Sequence, residues 1–533
     1  MRIFAPLFIL FVPFIYFVKF NDVPIFHEEF VWLIMTILAA SLCTSLILYR
    51  ARWVRLTMVF SLLIPTALSF LPEFQSMLVL KVVFLVVLCL GIFLKEKALA
   101  VVTFIAGVFC TATLLFPVGH EFNTVKISQK ATKSNSHLPP IIHIVFDEHM
   151  GVNAIPTNTP QGVLLQNKIK QFYPHYGFRL YANAYSRYSR TYDAIPNDLN
   201  FIPQAQDSYY FPGGPSEQIL KQNKEFQLLS QLGYNIRVYQ PNYIDFCHAK
   251  RVNYEFCYTY PIFSLKAFYQ LQFPSKVRYQ FLLKTYLLSS FLYQQMVYEY
   301  TYTILPLAVQ MHLHLPPSHW EQNELSTLQV LSAMQKLQSD VLTNADEGTV
   351  FFAHILLPHS PYIYDENCQI HSNPMDWLIN YDVGPQGNTA ERRALRYALY
   401  EKQTQCLYRQ LQTIFDSWQQ AGIMSKAIII VQGDHSSRLP VTTPTMENKG
   451  ESNWRDFNDS FPALFAVKAP HYLPGLDESL LAISYLLGTV MRSITQQSFP
   501  IDSSMPYVYL TDKMPNTRVM QEEELLSGFK NSD

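Results

Sequence analysis

Three polar turns, each following directly on an apolar run, hold the residues of this chain best suited to chemistry. Residues 140–146 run into Asp147-Glu148-His149, residues 350–357 into Pro358-His359-Ser360-Pro361, and residues 427–431 into Gln432-Gly433-Asp434-His435. Short apolar runs of this kind are buried-strand candidates. In an open α/β sheet, ligands gather outside the carboxyl ends of the strands, so three such ends bearing acids and histidines predict one convergent polar site. Carboxylate oxygens and imidazole nitrogens suit zinc or manganese, and no thiolate cluster accompanies them to suggest a structural cysteine site.

The elements that must position these turns lie in the second part of the chain. Further strands are expected at residues 233–239 and 463–467, and helical spacing runs through residues 323–341 and 390–420, with Gly422 as a stop. Strands alternating with helices imply an α/β/α sandwich with a mostly parallel sheet covered on both faces.

Before residue 120 the character changes. Nearly uncharged stretches cover residues 3–18, 30–49, 56–72, 74–94 and 98–119, which is the pattern of five transmembrane helices. Arg2, the group Arg50, Arg52 and Arg55, and the pair Lys95 and Lys97 fall in alternate connections, so the amino terminus is placed in the cytoplasm and everything after Gly119 outside. Pro13 within the first stretch, and the lack of a small-residue cleavage site after it, favour a retained span over a signal peptide. The domain plan is therefore residues 1–119 in the membrane, 120–138 as a polar linker, 139–499 as an external domain and 500–533 as a tail. Four cysteines outside the spans, Cys247, Cys257, Cys368 and Cys406, predict two disulfides in an oxidising compartment, with three connectivities open.

Composition narrows the function classes. The 533 residues carry 40 Lys+Arg against 41 Asp+Glu, a formal charge of −1, and 15% charged residues. That balance gives no basic footprint for nucleic acid and no signature of disorder. Lys81 is the one charge inside the expected spans, which disfavours a transporter.

The order of spans, strand-Asp147-Glu148, a hydroxyl-rich segment at residues 185–196, His359-Ser360-Pro361 and Gly433-Asp434-His435 resembles the sulfatase-like branch of the alkaline phosphatase superfamily. It looks especially similar to the membrane-anchored lipoteichoic acid synthases and lipid A phosphoethanolamine transferases. The resemblance implies a bacterial inner-membrane enzyme whose periplasmic or extracellular domain binds a divalent metal, manganese or zinc. Carried over by residue, it makes Asp147, Asp434 and His435 metal ligands. Glu148 either joins them or caps the following helix. Thr191, at the expected helix start after an early strand, becomes the nucleophile and a further metal contact, with Ser189 and Ser186 as substitutes. His359 holds substrate or protonates a leaving oxygen, and Arg190 or Arg438 binds phosphate. His143 and His354, inside strand candidates, are read as packing or hydrogen-bonding residues; His149 is left open, and the tyrosines of residues 181–192 are read as core and groove lining.

A formylglycine motif of the C/S-x-P-x-R type, which sulfatases of this superfamily use, is absent. The expected reaction is transfer of a phospho-headgroup from a membrane phospholipid to an envelope glycan or lipid. The alternatives are a sulfatase-like phosphodiester or sulfate ester hydrolase, and a non-catalytic envelope-binding relative. Phosphoethanolamine transferases carry a Gly-Glu-Thr-type motif where this chain has Phe146-Asp147-Glu148-His149, and lipoteichoic acid synthases have Glu in place of Asp147, so the headgroup stays open.

Overall fold

The computed structural model describes residues 4–20, 23, 25–49, 53–71, 76–94, 97–115, 138–203, 218–260, 274–292, 327, 329–371, 390–440, 444–445, 451–510 and 518–520. These fall into two compact units.

The first unit contains helices Phe4–Phe20, Glu28–Tyr49, Trp53–Leu68, Met77–Leu94 and Lys97–Leu115, together with Ser275–Leu288 from much later in the chain. Each expected span corresponds to one helix, and among the described residues two, at Glu28–Leu46 and Met77–Leu94, are long and apolar enough to cross a membrane. At 1.5 Å per residue the 16 residues of Trp53–Leu68 rise about 24 Å, short of the ~30 Å hydrocarbon thickness. Lys19 Nζ donates to Thr113 O (2.8 Å) and Leu114 O (2.9 Å), fastening the end of the first helix to the end of the fifth. The two ends therefore lie together, as they must if the first and fifth helices run in the same direction.

The second unit is built on an eight-stranded sheet in the order β4-β3-β5-β1-β6-β7-β2-β8. The strands are β1 Ile141–Phe146, β2 Arg179–Tyr185, β3 Asn235–Pro241, β4 Tyr254–Tyr260, β5 Thr349–Ile355, β6 Ile428–Gly433, β7 Phe465–Lys468 and β8 Gly475–Ala482. All neighbours are parallel except those of β7, which runs antiparallel to both β6 and β2. Every residue of β1, β5 and β6 is buried, which is why these runs read as unbroken apolar stretches rather than alternating ones. Helices Thr191–Asn200, Lys224–Gln231 and Ile483–Thr495 contribute Ile195, Phe226 and Leu487 to one cluster with Val145, Phe352 and Ile430 of the sheet. Helices Pro160–His175 and Ala390–Gln420 pack on each other through Phe172 and Phe415, whose rings stack at 5.6 Å.

The expected helix at residues 390–420 forms over that range, and Gly422 takes φ +72° just beyond it. The expected helix at residues 323–341 is observed as Val330–Asn344. Three strands of this sheet were not expected from the sequence. β8 is a half-exposed edge carrying Asp477 and Glu478, so its composition reads as a loop. β4 begins inside the polar stretch around Cys257, and the apolar positions of β2 are interrupted by Asn183.

The disulfides are Cys247–Cys257 and Cys368–Cys406. Residues 500–510 are part of the packed body: Val508 and Leu510 join Tyr185 and Phe461 in a buried cluster. Asp502 Oδ2 accepts from Arg187 Nε at 2.8 Å. Arg187 is fully buried and also donates to Tyr185 Oη (2.6 Å), Tyr507 O (2.7 Å) and Ser503 O (2.7 Å). The expected linker at residues 120–138 lies outside the described residues apart from Leu138.

Asp502→Ala strips the carboxylate from a buried guanidinium, and removing one partner of a buried pair costs about 3 kcal/mol or more. Chemical denaturation in detergent is expected to show that loss, whereas an unchanged midpoint would mean that residues 500–510 do not contribute to the domain's stability.

Candidate active site

The site follows from register. β1 lies between β5 and β6, and Phe146 is the partner of Ile355 on one side and of Gly433 on the other. The chain therefore leaves three neighbouring strands at one level, and Asp147 and Asp434 emerge side by side. Gly433 has no room for a side chain: a Cβ there would stand 2.4 Å from His149 O. The backbone after β6 can close onto the turn after β1 because that position is glycine.

Asp147, Asp434 and His435 are fully buried, and one donor atom from each lies within 4.8 Å of the others. His435 Nε2 is 3.3 Å from Asp434 Oδ2 and 3.8 Å from Asp147 Oδ1. Its Nδ1 faces Ser436 O at 2.7 Å; a carbonyl can only accept, so Nδ1 holds the proton and Nε2 presents a lone pair. Asp147 Oδ1 and Asp434 Oδ2 have no hydrogen-bond partner. Two orphaned carboxylate oxygens beside an imidazole lone pair are a donor set that fits a divalent cation.

Thr191 is the first residue of helix Thr191–Asn200, and its Oγ1 lies 3.2 Å from His435 Nε2 and 3.4 Å from Asp147 Oδ2. Of the expected hydroxyls, it is the one that the structure sets against these ligand candidates. Ser186 instead accepts from Tyr188 N at 3.3 Å. Arg190, immediately before the helix, is half-exposed and pairs with Asp193 at 3.9 Å.

A second group shares Asp147 with the first. Glu148 and His359 place donor atoms within 4.8 Å of it and of each other. Glu148 caps no helix. Its N–H donates to Asp434 Oδ1 (3.0 Å), its Oε2 accepts from Ser360 N (3.2 Å), and its Oε1 faces His359 Nε2 at 3.5 Å and Arg438 Nη1 at 3.9 Å. Both Glu148 (φ +61°) and Arg438 (φ +55°) hold a left-handed backbone that ordinary residues avoid.

Burial sets the charges here. It disfavours ionised Asp147, but His359 and then His354 and His435 outweigh it and hold that carboxyl below its ordinary range. Burial, reinforced by the charge of Asp147, pushes Asp434 up to about 7 and also raises Glu148. Burial works against protonated His359, yet Glu148 and Asp147 prevail and raise it. Burial lowers His435 to about 4.

Two contacts were not foreseen. Tyr243 Oη donates to Asp147 Oδ2 at 2.9 Å, and His354 Nε2 lies 3.2 Å from the same oxygen. His354 sits one residue before the end of β5, and its position in an apolar run made it read as packing. Tyr243 follows β3, and no signal in the sequence connects it to Asp147. His143 pairs with Glu225 at 2.9 Å within the core. His149 bonds Met150 O and Tyr408 Oη, each at 2.9 Å.

Helix Ala390–Gln420 holds the turns in place. Tyr400 Oη donates to Glu148 O (3.0 Å) and accepts from Met150 N (2.9 Å). One turn on, Gln403 Nε2 donates to His359 O (2.8 Å) and Pro358 O (3.1 Å), while its Oε1 accepts from Ile363 N (2.8 Å) and Tyr364 N (3.2 Å).

No family model matches the chain, and no curated protein does. Solved structures similar to it include the BT33494S-sulf protein of glycosaminoglycan metabolism in Bacteroides thetaiotaomicron, at 14% identity, 73% of this chain, 83% of that chain and TM-score 0.38. The lipoteichoic acid synthase LtaP from Listeria monocytogenes is similar at 11% identity over 76% and 92% of the two chains, TM-score 0.38. The periplasmic domain of phosphoethanolamine transferase EptC from Campylobacter jejuni is similar at 9% identity over 69% and 92%, TM-score 0.36. A lipoteichoic acid synthase and a phosphoethanolamine transferase are also the kinds of protein that the sequence motifs resemble.

Two measurements probe the support around the site. Gln403→Leu leaves buried carbonyls and amides without partners, at about 1–3 kcal/mol for each group left unsatisfied; amide exchange across residues 358–364 is expected to rise and the fold to weaken, and unchanged exchange would remove Gln403 from this role. Burial lowers His149 to about 4. The unfolded chain, titrating near 6.5, takes up a proton that the folded one refuses. Stability from this residue is thus fully present above pH 6.5 and falls as pH drops toward 4, by about 3 kcal/mol. His149→Gln should flatten that part of the stability–pH curve relative to the parent; parallel curves would contradict it.

Proposed function

We propose that this chain is a membrane-bound phosphotransferase that moves a phospho-headgroup from a membrane phospholipid to an envelope glycan or lipid through an ester on Thr191. The observation that carries the reading is the placement of Thr191 Oγ1, 3.2 Å from His435 Nε2 and 3.4 Å from Asp147 Oδ2, at the start of a helix. Asp147, Asp434 and His435 would hold a divalent cation, manganese or zinc, which would supply charge to lower the pKa of the Thr191 hydroxyl and neutralise phosphoryl oxygens.

The side chains account for the remaining demands. Thr191 Oγ1 attacks phosphorus, its proton leaving along the contact to Asp147, while the bond from phosphorus to the lipid oxygen breaks. Protonated His359 gives its proton to that oxygen, a role suited to a histidine whose pKa is raised. The ester on Thr191 lies at a helix amino terminus, where negative charge is favoured. An acceptor hydroxyl then attacks the ester and gives its proton to His359, now neutral, while the bond from phosphorus to Thr191 breaks and Thr191 takes back the proton left at Asp147, so one difficult transfer becomes two easier ones. Arg438, half-exposed beside Glu148, is placed to meet the anionic part of the substrate.

On this reading the amino-terminal helices are five membrane spans with the amino terminus cytoplasmic, and the sheet unit lies on the periplasmic or extracellular side. Two disulfides in the sheet unit support an oxidising compartment.

The test is peptide mass spectrometry of full-length protein in detergent with manganese or zinc and a bacterial lipid extract. A metal-dependent adduct on the Thr191 peptide is expected, with none in Thr191→Ala and none in Asp434→Ala, and its mass names the headgroup. Phosphate or headgroup release without any adduct would favour a hydrolase, and failure to retain a divalent ion would favour a binding protein.

A further inference from the structure

Residues 274–292 lie in the sequence between β4 and β5 of the sheet unit, yet they pack among the amino-terminal helices. The contacts are specific. Arg278 Nε is 3.0 Å from Glu29 Oε1, and Glu29, in the first turn of helix Glu28–Tyr49, is fully buried. Tyr279 Oη lies 2.7 Å from Thr36 Oγ1 and its ring meets Trp32 edge-on at 5.8 Å. Tyr286 is buried, stacked on Phe70 at 4.9 Å and edge-on to Phe17 (5.2 Å) and Phe14 (6.2 Å). Ser290 Oγ lies 2.7 Å from Ser69 Oγ, and Phe291 N donates to Ser69 O at 2.9 Å.

These partners lie in two helices and in the turn after a third, at the end where the first finishes, the second begins and the third finishes. The Lys19 contacts put the end of the fifth helix there as well. A segment of the chain beyond the fifth helix can reach only the side on which that helix ends, so the docking and the expected orientation of the helices agree. The composition also suits a bilayer surface: tyrosines and a tryptophan flank a cation whose charge is neutralised, with hydroxyl pairs in place of exposed polar groups.

We propose that residues 274–292 form a second attachment to the membrane, a helix at the outer bilayer surface that locks onto the first three helices. The polypeptide after residue 119 is then held twice, through its continuous chain and through this helix. The proposal rests on reading the amino-terminal helices as membrane segments.

The experiment uses full-length protein with a protease site inserted within residues 120–138, cut in native membranes. After the cut, the carboxy-terminal fragment is expected to stay on the membrane through a high-salt wash and to co-purify with a tag on the amino-terminal fragment. Arg278→Glu should increase its release about tenfold, a change worth ~1.4 kcal/mol. Exchanging the charges, Glu29→Arg with Arg278→Glu, should restore retention, which separates a lost contact from a misfolded chain. Thr36→Cys with Tyr279→Cys, oxidised before cutting, should join the two fragments on a non-reducing gel. Release of the fragment by the cut alone, with no cross-link, overturns the second attachment while leaving the spans intact. If the uncut protein is itself extracted by carbonate, the membrane reading fails, and this proposal with it.

Discussion

Asp147 and Asp434 are two acids buried side by side, and the arrangement of the sheet unit follows from making that tolerable. An ionised carboxylate taken out of water costs several kcal/mol even after relaxation, and a like charge nearby adds to it. The two acids are treated differently. Asp147 Oδ2 receives Tyr243 and Thr191 and faces His354, so that carboxylate stays charged. Asp434 Oδ1 is held by the amides of Glu148 and His435, while the opposite oxygen has no partner and the pKa rises. What remains unsatisfied, one oxygen on each acid beside the lone pair of His435, is a demand for positive charge. The strand order β5-β1-β6 creates the demand by delivering both acids to the same level.

Strain is concentrated where those turns meet. Glu148 holds a positive φ, at a cost of about 1–2 kcal/mol, and such a conformation persists when neighbours over-determine it. Here they do: its N–H reaches Asp434, its C=O receives Tyr400 and its carboxylate receives Ser360. Tyr400 and Gln403 project from the same helix to the turns after β1 and β5, so a single rigid element sets the spacing between Glu148 and His359. Positioning of this kind is what a transfer reaction requires, since a small misplacement of reacting groups is costly.

The parts of the site legible in the sequence were those that obey a local rule. Asp147, Asp434 and His435 stand directly after buried runs, and in a parallel sheet such positions share one edge, where the order β5-β1-β6 makes these neighbours. His354 breaks the rule because it is still inside its strand, flanked by Ala353 and Ile355, and only the register with Val145 shows that it reaches Asp147. Tyr243 depends on β3 lying beside β5, a topological fact that no local pattern encodes. The five apolar helices were legible from charge spacing, whereas the helix at residues 275–288 was not, because its partners are some 250 positions away in the chain. Arg190 was the cation singled out from the segment at residues 185–196; burial separates it from Arg187, which is given to Asp502.

That separation bears on what the site can bind. With Arg187 paired to Asp502 and Arg190 to Asp193, the described cations beside Glu148 are His359 and Arg438, at 3.5 and 3.9 Å. Side chains near Thr191 thus offer more negative than positive charge, and a phospho group approaching its hydroxyl meets repulsion from Asp147 before it meets help. An anionic substrate becomes acceptable only when a divalent ion reverses the local sign, because a bound cation is then the largest charge in the site. On the reading proposed here, metal and substrate binding are therefore coupled, and the orphaned oxygens of Asp147 and Asp434 are the physical origin of that coupling.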